Sequence, residues 1–114
     1  MSMNYRVALA SSDGKNIDLH FAQAHTFYIY DLSEKGCAFV EKRSAFEFQG
    51  HSEAQFDRAT QLLKDCKAVF VSHIGPAAAR YLLLKGVRVL EAPYSIEAVL
   101  QKFRAAELKE SDNE

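Results

Sequence analysis

Apolar residues fall into short continuous or alternating blocks in the first half of the chain and recur at helical spacing in much of the second. Residues 5–10 (YRVALA) read as a buried strand, and residues 26–32 (TFYIYDL) as a second, rich in β-branched and aromatic residues. Ser33-Glu34-Lys35-Gly36 is a hairpin turn, which makes residues 37–43 (CAFVEKR) the returning strand, with room to run on to Phe48. After it, Phe56, Ala59, Leu62, Leu63 and Cys66 keep to one side of a 3.6-residue period. Ser52 and Gln55 form a capping box at the start of that run, so a helix is predicted over 52–65. Residues 68–72 (AVFVS) have the continuous apolar character of a strand covered on both faces. Gly75-Pro76 opens a second helix that Gly86 ends, residues 87–90 are a short strand, and Ser95 caps a third helix with Ile96, Val99, Leu100 and Phe103 on one face. From Glu107 the chain is polar and charged, and is expected to fray; residues 1–106 are expected to form one domain.

The order is β-β-β-α-β-α-β-α. Right-handed crossovers then give an α/β fold with a five-stranded mixed sheet of order 3-2-1-4-5 and helices on its faces. That order resembles the ribonuclease-H-like architecture, which constrains fold more than function.

Composition narrows the partners. The chain has 114 residues, 48% hydrophobic and 25% charged, enough for a real core without disulfides or a structural metal. A net charge of −1 leaves no electrostatic footprint for nucleic acid or an anionic membrane. No apolar run nears the roughly 18 residues of a spanning helix, and residues 1–9 lack a signal-peptide pattern, so a cytoplasmic location is expected. Two cysteines without CxxC spacing suggest neither a disulfide framework nor a zinc module.

Candidate chemistry follows from the topology. Ligands of open α/β sheets sit beyond the carboxyl ends of the parallel strands, where the strand order switches. The topology sends all four histidines, His20, His25, His51 and His73, to that end, and Cys37 and Cys66 to the other. The segment leaving the first strand carries Asp13, Asp18, His20 and Phe21; the segment leaving the fourth carries His73 and the helix start at Gly75-Pro76. Imidazoles suit metal ligation, and a helix N-terminus suits an anion. Residues 11–25 are a long stretch without obvious structure; residues 11–24 are expected to be mobile, and the loop could close over a ligand. Each feature also has an ordinary role. A loop histidine is commonly solvated, Gly-Pro commonly just starts a helix, and Phe21, Phe27 and Tyr81 fit a core.

Several segments together resemble a known family. Residues 10–15 (ASSDGK), 18–24 (DLHFAQA) and 27–31 (FYIYD) look like the opening signature of the nitrogenase iron–molybdenum-cofactor-binding family, which includes NifX, the core domain of NafY and the C-terminal part of NifB. Residues 74–79 (IGPAAA), Leu82 and Gly86-Val87 resemble that family's Ile-Gly-x-x-Ala segment and the strand after it, so the likeness covers roughly residues 4–104. The resemblance implies a small non-catalytic carrier of iron–molybdenum cofactor or its iron–sulfur precursor, acting among cofactor-assembly proteins; a monomer or weak dimer is expected. It places the family's histidine on His20 and its Ile-Gly segment on Ile74 and Gly75. The cofactor-binding candidates are then His20, Phe21, Asp13, Ile74 and Gly75, and the metal-ligand candidates His20, His73 and His51. An ordinary iron–sulfur cluster takes four thiolates, which two cysteines cannot supply, whereas a prebuilt cofactor needs only one or two protein ligands.

Two other classes stand beside the carrier. A nuclease would need clustered carboxylates near the central strands, and the fourth strand leads into His73 and Gly75 instead. A metal-free regulatory or interaction module would leave the histidines solvated and use the edge at the third strand for docking.

Overall fold

In a computed structural model, the structure describes residues 5–44 and 53–112. The strands are β1 (Tyr5–Ala10), β2 (Thr26–Ser33), β3 (Gly36–Ser44), β4 (Ala68–Val71) and β5 (Arg88–Glu91); the helices are α1 (Glu53–Leu63), α2 (Pro76–Leu84) and α3 (Ile96–Asp112). They form one sheet of order β3-β2-β1-β4-β5, as the pattern predicts. β1 pairs antiparallel with β2 and parallel with β4, β2 antiparallel with β3, and β4 parallel with β5. The capping residue Ser52 and the possible extension to Phe48 lie outside the described residues.

Two apolar layers sandwich the sheet, because alternate residues of each strand point to opposite faces. One layer joins Ala8, Ala10, Phe27, Ile29, Val69 and Val71 to residues of α1 and α2 such as Leu63 and Leu82. The other joins Val7, Leu9, Leu32 and Phe70 to Ile96 and Leu100 of α3. β4 is buried along its whole length, which explains its unbroken apolar run. Ser95 Oγ accepts the Ala98 N–H at 3.1 Å, the predicted cap of α3, and Gly86 takes φ +89° just past α2. α3 continues to Asp112, past the point where its apolar face ends, and Arg88 engages Glu107 at 3.0 Å.

An ion network centred on Asp65, between α1 and β4, ties in residues of three strands. Arg6 Nε and Nη2 donate to Asp31 at 2.8 and 3.0 Å, and Arg6 Nη1 to Asp65 at 3.1 Å. Arg43 Nη1 and Nη2 grip the same Asp65 at 2.7 and 2.8 Å, and Nη1 also reaches the Leu62 carbonyl at 2.8 Å. The Arg43 hydrogen bonds hold the Asp65 carboxyl well below the usual carboxylate range, and Arg6 lowers that of Asp31. A carboxylate depressed in the folded state stabilises the fold above its ordinary pKa of 3.8 and loses that contribution as pH falls through the folded value. The urea midpoint of the protein will therefore drop below about pH 4, and Asp65→Asn will flatten that acid limb while lowering the midpoint near neutrality. Parallel acid limbs in both proteins would show that Asp65 is not a source of it.

Candidate functional site

The site is built on the segment that leaves β1. Ser11, fully buried, accepts the Gly14 N–H at 2.9 Å, and its hydroxyl donates to Asp13 Oδ1 at 3.1 Å. Asp13 Oδ1 in turn accepts the Lys15 and Asn16 N–H groups at 2.8 and 2.9 Å. The Asn16 and Lys15 amides hold the Asp13 carboxyl down to about 2. Gly14 sits at φ +77°, which favours glycine, and a Cβ there would also press on the end of the Tyr28 side chain at 2.9 Å. Asp18 accepts the Ser12 N–H at 2.9 Å and the Ser12 hydroxyl. Both carboxylates are engaged in shaping their own loop; Asp13, a cofactor-binding candidate, is placed as a turn former.

Beyond this turn the segment is tied down at two places. Asn16 bridges to Ser95; Ile17 N–H donates to the Tyr94 carbonyl at 2.9 Å and Ile96 N–H to the Lys15 carbonyl at 2.8 Å. Ser72 N–H then donates to the Leu19 carbonyl and Phe21 N–H to the His73 carbonyl, both at 2.9 Å. Ile17 and Phe21 are buried. The mobile lid expected from length and polarity gives way to a strap fastened across the ends of β4 and the α3 start. The amides of Ile17 and Phe21 will accordingly exchange at least about a thousandfold slower than unstructured amides. Near-random-coil exchange at these two amides would restore the lid.

The strap brings together two of the candidate histidines, His20 and His73. The His20 and His73 ring centroids are 4.7 Å apart, tilted by 35°. Both side chains are exposed, and the Phe21–His73 backbone bond beside them fixes their register. A ring ligating through an M–N bond of about 2.1 Å has its centroid roughly 3.2 Å from the metal, so two cis imidazoles stand about 4.5–5.2 Å apart. The observed separation falls in that range. His73 Nδ1 lies 3.4 Å from Ser72 Oγ. Among the described residues no group of three or more His, Cys, Asp or Glu side chains could hold an ion.

Around the pair, the helix start is open. Gly75 is the N-cap of α2, provides no side chain to cap it, and has nothing within 4 Å of where a Cβ would stand; Pro76 fills the first helical position. The uncapped helix start is available to an anion. Ile74 is half-buried against the core, and its N–H donates to Glu91 Oε2 at 2.9 Å. Phe21 is only 7% exposed and packs into the α1/α2-side layer, so it anchors the strap from below rather than facing the rim. His25 Nδ1 is held 2.9 Å from Thr26 Oγ1 at the start of β2. His51 lies outside the described residues.

Sequence reasoning missed two participants. One is Glu91, whose signal was an acidic residue directly after the apolar run of β5, hence at the same carboxyl-end rim. The other is the 3-10 turn at Phe21–Gln23, too short to show a period. The cysteines are at the opposite end. Cys66 is buried, which pushes its thiol up to about 12, and burial raises that of exposed Cys37 too. Among the described residues no helix is long and apolar enough to cross a membrane.

Comparison with known proteins points to one family. Residues 3–106 match the family model described as dinitrogenase iron-molybdenum cofactor. The FeMo cofactor biosynthesis protein NifB of Klebsiella pneumoniae is 39% identical over 89 residues, covering 71% of this chain and 19% of that protein. Protein NifX of Rhodobacter capsulatus is 30% identical over 105 residues, covering 85% of this chain and 66% of the other. This chain thus spans about a fifth of that NifB and just under two thirds of that NifX. In fold it matches the apo orange protein of Desulfovibrio gigas with a TM-score of 0.65 at 23% identity, over 94% of this chain and 92% of that one. The strap, the Ile-Gly turn and the strand order all lie within the matched region, and the chain belongs to the dinitrogenase iron-molybdenum cofactor family.

Proposed function

We propose that the chain is a non-catalytic carrier that binds iron–molybdenum cofactor or its iron–sulfur precursor and passes it between assembly proteins in the cytoplasm. The observation that carries this is the His20–His73 pair, 4.7 Å apart beside the uncapped start of α2. The cargo arrives with its own sulfides, so its metal needs only imidazoles from the protein, and its negative charge is met by the helix start at Gly75. His20 is the leading ligand and His73 the second; His51 is a further candidate donor. Two exposed ligands at an open rim suit a protein that must release what it holds. Family membership supports this reading, because the residues that match the family model, 3–106, include the site-forming segments.

The test is anaerobic titration of the purified chain with iron–molybdenum cofactor and, separately, its iron–sulfur precursor, following visible absorbance and bound iron. One cofactor per chain is expected for at least one of them. Binding of neither would overturn the carrier. A metal-free interaction module would then be the better reading, favoured by exposed Phe39 on the edge strand β3, in ring contact with Tyr28 and Tyr30.

A further inference from the structure

The Ile74 N–H lies one residue before the cap of α2, at the mouth of the site, and the Glu91 carboxylate occupies it. Glu91 ends β5 and pairs in register with Val71, the last residue of β4, so the sheet itself carries its side chain to the start of α2. The contact joins residues far apart in sequence, and it places a negative charge where the proposed cargo, itself anionic, must come in. A structural role is available too: with glycine as N-cap, the carboxylate stands beside a helix end that has no side-chain cap of its own.

We propose that Glu91 sets the affinity and charge preference of the rim: its carboxylate repels an anionic cluster and competes with it for the Ile74 N–H, keeping binding weak enough for release. This rests on the carrier reading. A carboxylate acting this way has opposite effects on opposite charges. It weakens an anion held by His20 and His73 and strengthens a bare divalent cation held by the same imidazoles. A carboxylate that only caps the helix has no such sign dependence.

The experiment compares wild type, Glu91→Gln and Glu91→Lys, folded as judged by thermal melts, against two probes under anaerobic conditions: isolated iron–molybdenum cofactor, and cobalt(II) alone followed by its visible absorbance. Cofactor affinity is expected to rise about tenfold in Glu91→Gln and further in Glu91→Lys, with faster transfer out of wild type than out of either variant. Cobalt affinity is expected to fall in the same order. If both probes weaken together and the melts drop with them, Glu91 is a helix cap and the proposal fails. Unchanged affinity for both probes would overturn it as well. When wild type binds the cofactor and Glu91→Gln binds it no tighter, only this inference falls. When neither protein binds the cofactor, the carrier reading falls and takes this inference with it.

Discussion

His20→Ala will lower affinity for iron–molybdenum cofactor by at least about a hundredfold, and His73→Ala will lower it by less. The reason is geometric. The rings are 4.7 Å apart, a separation compatible with two ligands on one metal, and under the proposed reading losing either removes a bond and the advantage of holding the cargo at two points. The combined variant should lose less than the product of the two single losses, because neither histidine retains a chelating partner once the other is gone. Both side chains are exposed, so the fold should be unaffected and the urea midpoints of all three variants should match wild type. His20→Gly with added imidazole gives a direct check: restored binding shows that the ring supplies a bond rather than a shape. Unchanged affinity in His20→Ala would remove His20 from the site. Fully independent effects of the two substitutions would mean that they do not share a metal.

Phe21→Ala will cost about 3–5 kcal/mol, a large part of the roughly 5–15 kcal/mol a domain has in total. Phe21 is 7% exposed and packs with Ala24, Phe27 and Val71 in the layer beneath the strap. Emptying that position leaves a cavity the sheet cannot close. The damage reaches the rim, because Phe21 follows His20 and its N–H holds the His73 carbonyl at 2.9 Å. Cobalt and cofactor binding should therefore weaken even under conditions where the chain is still folded, while Phe21→Leu should preserve most of both. Urea denaturation and cobalt titration on the same samples measure the two effects. A stability loss below about 1 kcal/mol would mean that the strap is anchored elsewhere.

These two neighbours differ in where they face, His20 to solvent and Phe21 to the core. The sequence placed both on one candidate ligand list, since adjacent residues in a loop of unknown course cannot be told apart by type alone. The 3-10 turn decides the matter: His20 precedes it and faces solvent, and Phe21 begins it and faces the core. Asp13 is a similar case. An acidic residue at the carboxyl end of β1 suggests a ligand, yet the carboxylate is held by the Lys15 and Asn16 amides. Glu91 is the converse: an acidic residue after the apolar run of β5 is visible in the sequence, but its place beside the start of α2 depends on β5 pairing with β4.

What the sequence determined by itself is what depends on neighbouring residues and on burial pattern. The strands and helices, their order, the helix starts at Gly75-Pro76 and Ser95, and the strand order of the sheet all follow from periodicity, capping chemistry and the handedness of crossovers. The same logic sent His20 and His73 to one end of the sheet and the cysteines to the other. What only the tertiary structure decided is the course of residues 11–25, because backbone hydrogen bonds from Ile17, Ser72, Phe21 and Ile96 join segments distant in sequence and leave no periodic trace. Those bonds turn a loop that composition marks as mobile into a strap, and they set the 4.7 Å between two imidazoles that the sequence could place only at the same rim.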